Sequence, residues 1–148
     1  MENKKLILSI LICTLEEEER EKSYLRLQNE LIRQIKRYNL LGKVQILNSK
    51  DKRGEHSTGW KRNLLLQNCS GEYFMFIDDD DMISDDALFL IMSMIESNSP
   101  DVVSLDGVLT TDGKNPQAFS HSLRYTDWFE KDGIYCRPPN HLNPMRTE

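Results

Sequence analysis

The chain has 148 residues, enough for a single domain around one modest core. Apolar residues make up 39% and charged residues 29%, a balance that excludes a disordered chain or a bundle of membrane spans. A formal net charge of −5 excludes nucleic acid held by bulk positive charge, so an anionic ligand here needs local cations, a metal, or both.

Met1 to Lys5, followed by the apolar run Leu6 to Leu15, has the outline of a signal peptide. No small-x-small cleavage site follows, and the chain turns at once into Glu16-Glu17-Glu18-Glu19. A strand buried on both faces accounts for the run better. No segment reaches the roughly 18 apolar residues that a spanning helix needs. Cys13, Cys69 and Cys136 are few, odd in number and far apart, with no C-x-x-C pair, which reads as reduced thiols in a cytoplasmic protein.

From Glu16 the period changes. Tyr24, Leu27, Leu31, Ile35 and Tyr38 recur at helical spacing, with Gly42 placed as the C-cap. Val44 to Leu47 reads as a second strand, and the polar stretch Asn48 to Gly59 as a loop. Trp60 to Asn68 reads as a short helix with Leu64, Leu65 and Leu66 turned inward. Tyr73 to Ile77 is a strong apolar strand that ends in Asp78-Asp79-Asp80-Asp81. Ser84 suits an N-cap, Ala87 to Ile95 a buried helix, and Asp101 to Leu105 a fourth strand. Thr111-Asp112-Gly113 and Lys131-Asp132-Gly133 are turn signals, so Val108 to Thr111 and Ile134 to Arg137 belong to a smaller, partly antiparallel patch. The expected fold class is α/β, a mostly parallel sheet with helices on both faces.

Ligands of such sheets bind beyond the carboxyl ends of the strands, where the four aspartates fall. Four adjacent carboxylates repel one another unless a cation offsets them, and carboxylate oxygens suit Mg2+ and Mn2+. The plain alternative makes Asp78 and Asp79 a turn marker and Asp81 a solvated charge. A phosphoaspartyl nucleophile fits poorly, because the first strand ends in Cys13-Thr14-Leu15 with no acidic residue.

Three segments resemble family 2 glycosyltransferases, in that family's order. Ser9-Ile10-Leu11-Ile12-Cys13-Thr14 is similar to a first strand reading S-I-L-I-P-T. Gly59-Trp60-Lys61-Arg62-Asn63 is similar to G-x-K-R-N. Gly71-Glu72-Tyr73 through Asp81 is similar to the block that carries the DXD motif. The resemblance implies a GT-A (Rossmann-like) fold and a hexosyltransferase-type transfer from a nucleotide-sugar donor, a UDP-sugar, with inversion and with Mn2+ or Mg2+. It places Thr14 and Glu16 near the nucleoside, Asp51 at the base, and Lys61 and Arg62 beside the uracil or diphosphate. Asp78 falls at the ribose, Asp79 among the nucleotide-sugar contacts, and Asp80, with Asp78, at the metal. His141 is a candidate to complete the metal shell. The plain alternative for Lys61 and Arg62 is a solvated helix start.

Residues 1–106 are then the nucleotide-sugar-binding core, and residues 107–148 the start of an acceptor-side region. Cys13 stands where the family usually has proline. No Glu-Asp pair follows Asp106, so the general base is expected beyond Glu148, with Asp106 the candidate inside the chain. A non-catalytic or truncated sugar-nucleotide and metal-binding module is the alternative function. The acceptor, whether glycan, lipid-linked or protein, is left open, with no nucleic-acid partner and no membrane span expected.

Overall fold

The computed structural model describes residues 5–148, so the charged start of the signal-peptide outline, Met1 to Lys4, lies outside the described residues. The first sheet has the order β2-β1-β3-β8, with the two-residue strand β8 (Met145–Arg146) at its edge. Its centre is β1 (Leu8–Leu15), paired in parallel with β2 (Val44–Asp51) on one side and β3 (Tyr73–Phe76) on the other. Leu8, Ile10, Leu11 and Ile12 have no exposed surface, which is why the run carries no polar alternation.

Helices cover both faces. Leu8, Ile10 and Ile12 pack with Leu27, Leu31 and Ile35 of α1 (Glu18–Arg37) and with Leu88, Ile91, Met92 and Ile95 of α3 (Ala87–Asn98). Leu11 and Phe76 pack on the other face with Leu65 of α2 (Thr58–Asn68). Leu64 and Leu66 are more than a third exposed, contrary to the inward reading, because consecutive helical positions lie about 100° apart and cannot share one face. Gln34, fully buried, joins α1 to the start of α3 by donating to Ser84 O (2.7 Å) and accepting from Leu88 N (2.9 Å).

Several boundaries differ from expectation. Helix α1 ends at Tyr38 as C-cap, with Asn39 in the left-handed region (φ 56°), so Gly42 belongs to the turn beyond it. Strand β2 continues through Asp51: it is an edge strand, and an edge tolerates the polar residues Asn48 to Lys50. Asp86, not Ser84, occupies the N-cap position of α3, without a side-chain capping bond, and its carboxylate accepts from the Ser84 hydroxyl (3.0 Å). Gly71 leads into β3 so close to β1 that a Cβ there would lie 2.7 Å from Ser9 N.

The fourth strand is not Asp101 to Leu105. The free edge of β3 is taken by β8 (Met145–Arg146), which pairs antiparallel through Tyr73 and Phe74. Arg146 holds that place, donating to Pro100 O (3.3 Å) and Asp101 Oδ1 (3.3 Å) with its guanidinium 5.1 Å from the Tyr73 ring. The displaced segment keeps one bridge, Val102 to Met145.

A second sheet has the order β4-β5-β7-β6, with β4 Asp106–Thr111, β5 Lys114–His121, β6 Phe129–Lys131 and β7 Ile134–Arg137. Only β5 and β7 run parallel. Both hairpins turn on Asp-Gly pairs with positive φ at each residue, Asp112-Gly113 and Asp132-Gly133, the signature of a type I′ turn. Buried Asn143 ties the two sheets together through His121 Nδ1 (2.9 Å) and Val103 O (3.0 Å).

Candidate active site

Because β1, β2 and β3 are parallel, their carboxyl ends share one edge, and a cleft of about 520 Å3 opens there. Cys13 and Thr14 line it from β1, Lys61 and Arg62 from α2, Arg20 from α1, and Asp78 and Asp80 from the end of β3.

The aspartates divide by direction. Asp78 and Asp80 are about half exposed. Asp79 is fully buried, accepting from the Thr14 hydroxyl and from two nitrogens of Arg20, one of them at 3.1 Å. The third Arg20 nitrogen reaches Asp80 at 3.2 Å. Asp81 is exposed as a residue, but loss of water around its carboxyl, then the charges of Asp78, Asp80 and Asp79, push its pKa from 3.8 up to about 6. A carboxyl whose pKa is raised by folding costs stability as pH rises from about 4 to about 6. Asp81→Asn is expected to remove that part of the pH dependence, read as a smaller drop in melting temperature between pH 4.5 and pH 7 in EDTA.

Lys61 is buried rather than solvated. It donates to Asp51 Oδ1 (2.6 Å) and to Thr14 O (3.1 Å), so it pins the ends of β1 and β2. Its bond holds the Asp51 carboxyl below the usual carboxylate range. Asp51 also meets His56 Nδ1 at 3.3 Å, and the His56 ring lies stacked on Trp60 at 3.7 Å. Asp51, Glu55 and His56 bring ligand atoms within 4.8 Å of one another, a set able to hold a metal ion. Arg62 lies 3.4 Å from Asp78 and over the Phe76 ring.

The remaining candidates are dispersed. Glu16 is exposed and its side chain does not line the cleft, although its N–H bonds Asp51 O (2.8 Å). His141 donates no bond through Nε2, which is buried without a partner, and its carbonyl accepts from Phe76 N (3.0 Å). Burial first, then the Arg62 charge, lowers its pKa. Asp106 lines a different cleft, of about 340 Å3, on the second sheet beside Phe119 and Tyr125.

Sequence reasoning passed over Arg20 and His56. Arg20 carried a signal: a cation in the first turn of a helix opposes the helix dipole, and here it stands among Glu18, Glu19 and Glu21.

The α/β sheet with helices on both faces, and with its site beyond the carboxyl ends of parallel strands, is consistent with a GT-A-like, Rossmann-like fold. The sequence model of glycosyl transferase family 2 matches residues 30–145, and the chain belongs to that family. No curated protein matches it in sequence. Among solved structures, S. aureus TarS 1-349 is similar over 96% of this chain and 47% of that one, with 18% identity and a TM-score of 0.55. TarS 1-349 in complex with UDP-GlcNAc is similar over 66% of this chain and 33% of that one, with 19% identity and a TM-score of 0.45. The chain thus spans at most about half the length of these solved chains. No helix among the described residues is long and apolar enough to cross a membrane.

Proposed function

We propose that the cleft binds a UDP-sugar through Mn2+ or Mg2+ held by Asp80 and Asp78, and that the chain serves inverting transfer of the sugar to an acceptor hydroxyl. The observation that carries this reading is the division of the aspartates: two half-exposed carboxylates face a cleft that Lys61 and Arg62 also line. Two carboxylates with room for phosphate oxygens and water suit Mg2+ and Mn2+. The unpartnered Nε2 of His141, on a ring that feels the charges of both Asp78 and Arg62, supports it as a further ligand.

The set Asp51, Glu55 and His56 is the weaker place for that ion. The Lys61 ammonium already sits 2.6 Å from Asp51. That ammonium is buried and shorter-bonded than the partly exposed Arg20 and Arg62 contacts to Asp80 and Asp78, and a second cation about 4 Å from it meets a repulsion on the order of 4 kcal/mol per unit charge. Asp51 and His56, with Thr14, are better suited to the nucleoside end of the cleft, and Glu16 stands at its margin.

When bound, the metal supplies Lewis-acid stabilisation of the departing diphosphate, worth several kcal/mol. Arg62 lends a guanidinium to the same negative charge, and Lys61 holds the ends of β1 and β2 in place. Asp79 supports the site from beneath, through Thr14 and Arg20. The acceptor must lose a proton to a carboxylate. Asp106 lines the other cleft, and we assign it no part in the donor site. In this reading residues 1–106 form the donor-binding core and 107–148 belong to the acceptor side.

A panel of UDP-hexoses tests the reading. With Mn2+, at least one is expected to release UDP faster than a protein-free control, and EDTA is expected to abolish the release. Binding without release points to a sugar-nucleotide-binding module, and no binding at all ends the proposal.

A further inference from the structure

We propose that Arg20 is the positioning residue of the acidic strand end, setting Asp78 and Asp80 in place before any cation arrives; this rests on the metal reading above. Three observations carry it. Asp79 is fully buried, and a buried carboxylate needs a paired cation. Arg20 supplies it with two nitrogens on the two Asp79 oxygens, the bidentate fork that only arginine offers. Its remaining nitrogen lies 3.2 Å from Asp80, so one planar group fixes both the buried and the cleft-facing aspartate.

The consequence follows from the chain. Asp78, Asp79 and Asp80 are consecutive, so anchoring the middle one sets the directions of its two neighbours. Thr14 adds a second anchor from β1 and ties the set to the centre of the sheet. The backbone is pinned as well: Arg26, also on α1, donates to Asp80 O at 3.4 Å, and Asp81 N bonds Asp78 O at 3.0 Å. Arg20 also offsets the mutual repulsion of the carboxylates. It leaves Asp78 to Arg62, whose contact is long at 3.4 Å. Helix α1 therefore does more than cover the sheet, because its first turn sets the geometry of the cation site.

The test separates positioning from mere folding. Arg20→Gln alone leaves Asp79 buried without its ion pair and is expected to lower the melting temperature. The double variant R20Q/D79N removes the buried charge together with its partner and is expected to melt within a few degrees of the parent chain. Mn2+ binding is read by electron paramagnetic resonance on the parent chain, on Arg20→Lys and on the double variant. The proposal expects the double variant, although folded, to bind Mn2+ at least tenfold more weakly. It expects Arg20→Lys, which keeps the charge but loses the fork, to be weakened as well. Parent-like Mn2+ affinity in a folded double variant would overturn the positioning role while leaving the metal reading intact. Failure of the parent chain itself to bind Mn2+ would overturn both. If the double variant does not fold, Arg20→Lys decides: undiminished Mn2+ affinity there overturns the proposal, and at least a severalfold loss in a folded chain supports it.

Discussion

Replacing Lys61 with methionine is expected to lower the melting temperature by roughly 10 °C, the scale of breaking a buried ion pair in a chain of this size. The Lys61 and Asp51 side chains are both less than a tenth exposed, and their oppositely charged groups meet at 2.6 Å. Methionine keeps the length of the side chain but leaves the Asp51 carboxylate with only His56, and the Thr14 carbonyl loses its bond from the ammonium. Thermal denaturation followed by circular dichroism measures the effect. Adding Asp51→Asn to Lys61→Met is expected to restore part of the loss, because the orphaned charge is then gone. A single variant that melts within about 2 °C of the parent chain would show that the pair contributes little to stability.

The second large effect falls on function and leaves stability nearly untouched. Asp80→Asn is expected to weaken UDP binding in the presence of Mn2+ by about one hundredfold, in keeping with the several kcal/mol that a metal contributes at a diphosphate. The same change is expected to leave the melting temperature in EDTA unchanged or slightly raised. Asp80 is half exposed, and removing one of four neighbouring carboxylates relieves repulsion. Isothermal titration of UDP with and without Mn2+, alongside a melt, reads both quantities. Equal UDP affinity for the variant and the parent chain would remove Asp80 from the site.

The two variants differ because the site is layered. Beneath the cleft-facing carboxylates lie the buried Asp79 and Asp51, paired with Arg20 and Lys61 in contacts that stabilise the fold. Facing the cleft lie Asp78 and Asp80, about half exposed, each with one arginine nitrogen, at 3.4 Å and 3.2 Å respectively, and open to solvent on the cleft side. The run closes a turn, with Asp81 N on Asp78 O at 3.0 Å, and that turn sends Asp79 inward while Asp78 and Asp80 line the cleft, so one run of aspartates serves both layers.

That layering explains what the sequence disclosed. Leu8 to Leu15 was legible because a strand covered on both faces leaves no polar positions to confuse its period. The Asp-Gly hairpins were legible because two successive positive φ angles restrict residue choice. The replacement of Asp101 to Leu105 by Met145–Arg146 was not, because a two-residue strand has no period and its place depends on pairing with Tyr73 and Phe74, far away in sequence. The extension of β2 to Asp51 was hidden by its polar residues, which an edge position tolerates. At the site, the acidic run marked the right strand end, yet nothing in its spacing told which aspartate turns inward. That depends on Arg20, 59 residues away from Asp79.

The proposed cation site at Asp78 and Asp80 follows the end of β3, and the set Asp51, Glu55 and His56 begins at the end of β2. Anomalous diffraction from a crystal grown with Mn2+ and UDP locates the ion directly. The account predicts one strong peak in contact with an Asp80 oxygen and a phosphate oxygen of UDP. A peak among Asp51, Glu55 and His56, or ordered UDP with no peak beside Asp80, would contradict it.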